Sequence, residues 1–303
     1  MHSVTIDAFA KINLALRVFG KRPDGFHDVR TVLQTIDLSD RIACTTRPGP
    51  MRLRCRAGGV PEDRTNLVWR AAEALWRANG RSGEPCDVTI VLTKRIPARA
   101  GLGGGSSDAA ATLVALAQLW NLDMSHQALA HVAASLGADV PFFLWGGAAL
   151  GVGRGDEIYP LADLPRWWAL IVTPPFGVST PDAYTWSDSA TEPGSSAPMG
   201  PPDRRLNRTW LARLPTLHND LQPRVARRHP EISSTVAALR QHGALFAAMS
   251  GSGSAMFGLF SDEPAARAAR RRLRVGAGWR THIVRLLPRA EFERRGRPKK
   301  RWL

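Results

Sequence analysis

Polar and apolar residues alternate along the first sixty residues, which is the period of half-buried β-strands. The alternation predicts strands at residues 5–10, 15–19, 29–38 and 41–46. Between the second and third of these lies Arg22-Pro23-Asp24-Gly25, whose proline and glycine favour a turn. We therefore expect the chain to open with a meander of strands.

Helical periodicity begins at Asn66, whose side chain is suited to cap a helix that continues to residue 78. A strand is predicted at 87–94, and a glycine-rich stretch then leads into a helix at 106–120. A second helix follows at 125–136. Beyond it, an apolar strand-like run at 140–145 precedes short strands with glycine turns up to residue 158.

The second half of the chain begins with a strand at 168–173 and a segment rich in Ser, Pro and Gly at 187–205, which predicts a loop or disorder. Further on, helices are predicted at 231–242 and 263–274, and strands at 244–249, 255–260 and 281–287. This order predicts an α+β fold with two domains. We place them at 1–165 and 166–288, followed by a basic tail at 289–303.

The charge of the chain is concentrated near its C-terminus. Lys and Arg number 41 against 26 Asp and Glu, and the last 43 residues hold fourteen basic residues against four acidic ones. We interpret the last stretch as a solvated tail, with contact to nucleic acid or an anionic surface as the less favoured alternative. No apolar run is long enough to span a bilayer. The three cysteines suggest neither a disulfide framework nor structural zinc, and we expect a cytoplasmic protein.

Two glycine-rich stretches are suited to bind phosphate. Because glycine lets backbone N–H groups approach closely, and a helix start carries partial positive charge, the first stretch predicts a polyphosphate site. It has neither the Walker A nor the dinucleotide spacing, so a turn without a ligand remains the alternative. This first glycine loop comprises Pro97, Ala98, Arg99, Ala100, Gly101, Leu102, Gly103, Gly104, Gly105, Ser106 and Ser107. The hydroxyls of Ser106 and Ser107 could bond phosphate or ligate Mg²⁺.

The second glycine loop comprises Ser250, Gly251, Ser252 and Gly253, and it could support the first loop or be a plain hairpin turn. Phosphoryl transfer to an alcohol also needs a carboxylate and a balancing cation. The candidate for the carboxylate is Asp139, which comes after Gly137 and before the apolar run. The alternative is that Asp139 only stabilises a turn or caps a helix. Lys11 lies in a strand expected to be half buried, and its alternative is an edge-strand charge.

The motifs, taken in order, resemble the GHMP kinase superfamily, and within it the kinases that act on 4-diphosphocytidyl-2-C-methyl-D-erythritol. The resemblance rests on AFAKINL from Ala8, RPDGFH from Arg22, the first glycine loop, LGADVP from Leu136, and the second glycine loop. It implies an N-terminal ATP-binding domain of mixed sheet and helices, a C-terminal α+β domain, and a cleft between them. It further implies Mg²⁺-dependent transfer from ATP to the 2-hydroxyl of that acceptor, in the non-mevalonate (MEP) isoprenoid pathway, by a monomer or homodimer.

By motif position, the resemblance makes Asp139 the base and Lys11 its charge-balancing partner. It also assigns Asn13, Phe26, His27 and Tyr184 to the acceptor pocket, although Tyr184 could instead be a core aromatic on a short helix. Of the two serines in the first glycine loop, we expect Ser107 to be the metal ligand. Phe26 stands where the family often has tyrosine, and Arg99 stands where it usually has a small residue. Asn13, Phe26 and His27 favour a cytidine-bearing acceptor over homoserine, mevalonate or a sugar. Two competing hypotheses are a nucleotide-binding sensor without catalysis and a nucleic-acid-binding protein.

Overall fold

The structure is a computed structural model that describes residues 2–56, 59–188 and 210–296 and contains two β-sheets there. The larger sheet comprises β1 (Ser3–Lys21), β2 (His27–Pro50), β3 (Arg52–Cys55), β4 (Cys86–Thr93), β5 (Ala148–Val152) and β6 (Glu157–Pro160). The smaller comprises β7 (Trp168–Thr173), β8 (Phe246–Met249), β9 (Met256–Phe260) and β10 (Arg280–Arg285). The sheets thus follow one another along the chain.

The α-helices in the described residues are α1 (Leu67–Ala78), α2 (Gly104–Leu119), α3 (His126–Leu136), α4 (Phe142–Trp145), α5 (Thr180–Asp188), α6 (Gln222–Arg228), α7 (Pro230–Gln241), α8 (Glu263–Arg272) and α9 (Arg289–Gly296). A 3₁₀ turn covers Trp210–Thr216. The predicted α+β class is confirmed. Asn66 caps α1 by accepting a hydrogen bond from the N–H of Val68, as the sequence predicts.

The larger sheet has the order β3-β4-β2-β5-β6, with β1 paired to β2. The expectation of four short strands at the start was wrong, because β1 and β2 form one long antiparallel hairpin. Register shifts between Phe9 and Ala10, and again between Asn13 and Ala15, allow β1 to continue where we expected it to break. Lys11 and Asn13 therefore lie within a paired strand.

Helix α2 is the central helix of the N-terminal half. Residues 107–117 are all buried, and α2 packs against β1, β2, α1 and α3. Its small side chains let it approach the sheet closely, so α2 starts at a fixed point relative to β1. It begins at Gly104, two residues earlier than predicted, because Gly103 adopts the left-handed conformation that precedes the first turn.

The smaller sheet is antiparallel in the order β10-β7-β9-β8. One hydrophobic core contains residues of both sheets, among them Ile12 and Leu14 of β1, Ile171 of β7 and Phe257 of β9. The two halves therefore pack directly on each other. The connection from β6 to β7 contains residue 165, which we keep as the proposed domain boundary.

Two further expectations were wrong. The apolar run at 140–145 contains the short helix α4 instead of a strand. The first part of the predicted tail forms α9, whose Phe292 is buried against Phe9 and Leu287. Because this ring is buried, α9 packs against the protein instead of forming part of a solvated tail. Residues 297–303, and 189–205 of the predicted loop, lie outside the described residues. No helix in the described part of the chain combines the length and apolarity that crossing a bilayer requires.

Phe292→Ala tests the docking of α9. The ring is 4% exposed, and a Cβ at Gly146 would overlap it, so truncation leaves a cavity. We expect the free energy of unfolding in urea to fall by about 3 kcal/mol. The control is Arg294→Ala on the exposed face of α9, which should change it by less than about 0.5 kcal/mol. Similar losses in both variants would contradict the docking.

Asp37→Asn tests the charges that hold α9 and β10. The Asp37 carboxylate lies 3.0 Å from Arg285 and 2.9 Å from Arg295. Burial alone would raise its pKa, but hydrogen bonds from the two guanidinium groups lower the pKa below its ordinary value. Such a group stabilises the fold above its unfolded pKa of about 3.9, and the stabilisation disappears as pH falls through the lower folded pKa.

We therefore expect Asp37→Asn to unfold at lower urea concentration than the wild type at pH 7. The difference should shrink as the pH falls from about 3.9 through the lower folded pKa, because protonation of the unfolded chain and then of the folded carboxylate removes the stabilisation. Urea unfolding of both proteins across this pH range measures it. A difference that is independent of pH would contradict the role of the charge.

Candidate active site

A cleft of about 900 Å³ lies where the two glycine loops meet. Its walls come from the larger sheet, from the loop between β8 and β9 and from α5, so residues far apart in the sequence face one volume. It brings together nearly all predicted site residues, namely Lys11, Asn13, Phe26, His27, residues 97–106, Asp139, Tyr184, Gly251, Ser252 and Gly253. Ser107 and Ser250 are not among the residues that line it.

The first glycine loop is anchored at its start by Asp40, which is fully buried. One carboxylate oxygen of Asp40 accepts hydrogen bonds from the backbone N–H groups of Arg95 and Ile96. At the other end of the loop, Ser107 donates the first backbone hydrogen bond of α2 to Gly103. The backbone N–H groups between Ile96 and Ser107 come before the helical hydrogen bonds of α2, so they remain available for an anion.

The second glycine loop holds the first loop in place. Ser250 Oγ donates to the carbonyl oxygen of Gly101 at 2.9 Å, and the Ala255 N–H donates to the carbonyl of Ala100 at 3.0 Å. Gly101 has a φ of +73°, and a Cβ there would overlap the carbonyl oxygen of Ser250. Only glycine fits this position.

Asn219 is a residue that the sequence analysis did not place in the site. Its side-chain amide donates to the carbonyl oxygens of Met249 and Gly251, at 2.9 and 2.7 Å. Its own Oδ1 accepts from the N–H of Leu221. This buried amide fixes the backbone of the second glycine loop.

Lys11 and Asp139 form an ion pair in the cleft, with 3.2 Å between Nζ and Oδ2. The lysine side chain is only 3% exposed, whereas that of Asp139 is 40% exposed and remains accessible to a ligand. Lys11 Nζ also donates to Asn13 Oδ1 at 2.5 Å. Asp139 lies in the turn between α3 and α4, because the predicted strand-like run after it contains a helix.

His27 and Tyr184 stack on each other, with ring centroids 5.1 Å apart and planes inclined by 26°. Phe26 is 51% exposed, and the guanidinium of Arg154 lies 5.2 Å from its ring. Burial, together with the charge of Asp139, raises the pKa of the Tyr184 hydroxyl. Tyr184, which lines the cleft, keeps a hydroxyl that can donate a hydrogen bond there.

Ser107 does not fit the predicted metal role. Its side chain is buried, and Oγ donates to the carbonyl oxygen of Phe9 at 2.6 Å, so the hydroxyl holds α2 against β1. The hydroxyl-bearing residue that lines the cleft at this point is Ser106. Arg99 is exposed at the edge of the cleft with a φ of +53°. Its side chain is accessible to a bound anion.

The sequence analysis missed a second charged cluster, which lies beside the first glycine loop and contributes Lys94 and Asp108 to the lining of the cleft. Lys94 Nζ bonds Asp40 and, at 2.7 Å, Asp108. The two carboxylates raise the pKa of Lys94 although its burial acts to lower it. Burial is the main cause that raises the pKa of Asp108 well above its ordinary value, with Lys94 opposing it. The signal was available, since the chain has only five lysines and this one precedes the glycines.

The cleft also has an apolar wall beside the first turn of α2, which the sequence analysis did not foresee. Leu67 approaches Gly105, where a Cβ would lie 3.4 Å from its Cδ1. The other apolar residues here are Val60, Pro61 and Leu92, and the polar Asn66 lies beside them. They come from a loop, a helix start and a strand, so no single periodic pattern marks them.

Gly101→Ala tests the contact between the two glycine loops. The control is Gly83→Ala, because Gly83 has nearly the same φ, +74°, with nothing within 4 Å of the added Cβ. The control should cost about 1–2 kcal/mol of unfolding free energy through backbone strain alone. Gly101→Ala should cost about 1–3 kcal/mol more, because its methyl meets backbone. If urea unfolding shows equal losses of unfolding free energy in the two variants, the close packing of the loops at Gly101 is contradicted.

Comparisons with known proteins identify the family. The family described as GHMP kinases N terminal domain matches residues 66–147, and GHMP kinases C terminal matches residues 204–278. A 4-diphosphocytidyl-2-C-methyl-D-erythritol kinase of Geobacter sp. (strain M21) is 39% identical over 95% of this chain and 100% of its own length. The kinase of that name from Moorella thermoacetica is 41% identical over 90% of this chain and 95% of its own.

Solved structures agree with these relatives. A crystal structure of 4-(cytidine 5'-diphospho)-2C-methyl-D-erythritol kinase is 38% identical, with a TM-score of 0.74 over 93% of this chain and 99% of that one. A homoserine kinase from Cytophaga hutchinsonii, at 20% identity and a TM-score of 0.68, shares the fold over 93% of this chain and 94% of its own. The chain therefore belongs to the 4-diphosphocytidyl-2-C-methyl-D-erythritol kinase family of the GHMP kinases.

Proposed function

We propose that this protein transfers the γ-phosphoryl group of ATP to the 2-hydroxyl of 4-diphosphocytidyl-2-C-methyl-D-erythritol, giving the 2-phosphate and ADP. This is the kinase step of the non-mevalonate (MEP) isoprenoid pathway. The observation that carries the proposal is the ion pair of Lys11 and Asp139 in a cleft that the first glycine loop also lines. A loop that binds phosphate and a carboxylate for the acceptor hydroxyl are the parts that phosphoryl transfer to an alcohol requires.

The nucleotide would bind with its phosphates on the first glycine loop, where the N–H groups of Gly104, Gly105 and Ser106 start α2. The partial positive charge of a helix start favours an anion there. Arg99 at the rim would add charge to this end of the cleft. The apolar wall around Leu67 and Leu92 offers a surface for the adenine base.

The acceptor would place its cytosine base near His27, Tyr184 and Phe26. His27 and Tyr184 stack face to face, so a base could stack on an outer face of this pair or on the exposed ring of Phe26. The imidazole of His27 can also hydrogen-bond the edge of the base. The amide of Asn13, next to Lys11, completes the pocket on the side of the reacting hydroxyl.

In the transfer, the acceptor oxygen attacks the γ-phosphorus, the bond from that phosphorus to the ADP oxygen breaks, and Asp139 accepts the hydroxyl proton. The carboxylate is suited to this role because it is exposed to the cleft while its partner is buried. Lys11 balances the negative charge that gathers around the transferring group. Asn13 keeps the ammonium of Lys11 in position through its 2.5 Å hydrogen bond.

Magnesium fits this site if the nucleotide supplies most of its ligands. No group of three or more His, Cys, Asp or Glu in the described residues could hold a metal ion. Mg²⁺ usually retains waters and binds substrate phosphates with only one or two protein oxygens. Ser106 Oγ, which lines the cleft, would be the protein ligand, and the ion would offset phosphate charge.

We further propose that the enzyme is cytoplasmic and acts as a monomer or homodimer. All three cysteines are free thiols, which fits a reducing compartment. Light scattering of the purified protein would distinguish the two assembly states.

An assay of ADP release with ATP and Mg²⁺ tests the proposed acceptor. We expect turnover with 4-diphosphocytidyl-2-C-methyl-D-erythritol and none with homoserine, mevalonate or galactose, because only the first carries a base for the ring pocket. Turnover of homoserine, mevalonate or galactose instead would contradict the proposed acceptor and identify a different one. Binding of ATP without any turnover would favour a nucleotide-binding sensor.

Asp139→Asn tests the base. The amide keeps the size of the side chain but cannot accept the proton, so turnover should fall about 100-fold or more. The affinities for ATP and acceptor should stay within a few-fold of the wild type, as measured by calorimetry. The matched control is Asp123→Asn in the exposed α2–α3 loop, which should leave turnover unchanged. Near-normal turnover of Asp139→Asn would exclude Asp139 as the base.

A further inference from the structure

We propose that Thr31 is a positioning residue that fixes the side-chain amide of Asn13 so that its oxygen holds Lys11 beside Asp139. The inference rests on the proposed function, since the position of Lys11 matters only if Lys11 and Asp139 act in phosphoryl transfer. Neither the sequence motifs nor the proposed reaction assigns a role to Thr31.

Thr31 lies on β2 beside β1, is 3% exposed, and makes two short hydrogen bonds. Its hydroxyl donates to the carbonyl oxygen of Ala15 at 2.8 Å. The same oxygen accepts from Asn13 Nδ2, also at 2.8 Å. A threonine hydroxyl has one hydrogen, and a carbonyl oxygen can only accept. Because that hydrogen is committed to Ala15, the group that Asn13 presents to Thr31 must be a donor.

This constraint decides which way the amide of Asn13 faces. With its NH₂ group towards Thr31, its oxygen must face Lys11, where Nζ lies 2.5 Å away. The opposite orientation would place two donors against each other at Lys11 and two acceptors against each other at Thr31 once Ala15 is satisfied. Thr31 therefore acts on Lys11 through Asn13, without touching the ion pair itself.

The neighbouring Ser250 does not provide the same constraint. Its Oγ accepts from the backbone N–H of Asn13 at 3.2 Å and donates to the carbonyl oxygen of Gly101 at 2.9 Å. Its distance to Asn13 Oδ1 is 3.5 Å, and its hydrogen is already directed to Gly101. Ser250 thus fixes the backbone of Asn13, while Thr31 fixes the side chain.

The packing around Thr31 allows the hydroxyl and the methyl to be tested separately. A Cβ added at Gly151 would lie 3.1 Å from Thr31 Cγ2, so the methyl is tightly enclosed. Thr31→Val keeps this shape and removes the hydroxyl. Thr31→Ser keeps the hydroxyl and removes the methyl, and Thr31→Ala removes both. Serine and alanine therefore differ only in the hydroxyl, which preserves the test should the valine variant not fold.

We expect Thr31→Val to lower kcat about tenfold or more, because one buried hydrogen bond that orders Asn13 is lost. ATP affinity, measured by calorimetry without acceptor, should be unchanged, because the first glycine loop is not altered. Thr31→Ser should retain kcat within about threefold, and Thr31→Ala should behave like valine. Wild-type kcat in Thr31→Val, or equal losses in serine and alanine, would overturn the proposal.

A double-mutant cycle with Asn13→Ala tests whether Thr31 acts through Asn13. In the Asn13→Ala background, Thr31→Val should lower kcat by less than about twofold, because there is no amide left to orient. A full tenfold loss there would assign Thr31 a separate structural role and overturn the proposal. Urea unfolding of the same four proteins should also reveal the coupling, and additive effects on stability would contradict the contact.

The two hypotheses fail in different ways. A wild-type protein that phosphorylates none of the acceptors would contradict the proposed function. The unfolding cycle does not require turnover, so it would still report whether Thr31 and Asn13 are coupled. Turnover by the wild type with uncoupled Thr31 and Asn13 would overturn the role of Thr31 alone.

Discussion

The close packing of the two glycine loops is the constraint on which the site depends. At Gly101 there is no room for a side chain, because the carbonyl oxygen of Ser250, in the loop between β8 and β9, occupies that space. The hydroxyl of Ser250 ties the loops together by bonding both Gly101 and the backbone of Asn13. A phosphate-binding loop alone would be mobile, since glycine loses much conformational freedom on folding. Here its shape is set by contacts across the boundary between the two halves.

Each buried lysine near the first glycine loop has at least one carboxylate partner. Lys11 and Lys94 are both largely buried, and an unpaired ammonium at either position would be costly. Lys94, beside the first glycine loop, is neutralised by two buried carboxylates, those of Asp40 and Asp108. Lys11 shares the exposed carboxylate of Asp139 and a neutral amide, so its charge remains directed to the cleft. Lys94 is thus suited to hold the scaffold and Lys11 to act on a substrate.

Local signals in the sequence predicted much of the fold and the two loops. The cap at Asn66, the period of α3 and the glycines before α2 are signals within a few residues, and the structure agrees with them. The expectations that were wrong concern contacts across long distances. The bulges that keep β1 continuous, and the burial of Phe292 against Phe9, depend on partners that no local pattern shows. Ser107 was assigned to metal for the same reason, since its bond to Phe9 is invisible in the sequence.

The register of one hairpin explains why the motifs AKIN and RPDGFH occur together. Lys11 and Asn13 are two residues apart on β1, so both side chains point to the same face of the sheet. Thr31 and His27 lie on β2, where they pair with Leu16 and Lys21 of β1. A slip of one residue would turn Lys11 and Asn13 to the opposite face and separate them from Thr31. Because the proposed acceptor pocket lies on this pair of strands and the proposed nucleotide site on a loop packed against it, the hairpin would fix the distance between the two substrates.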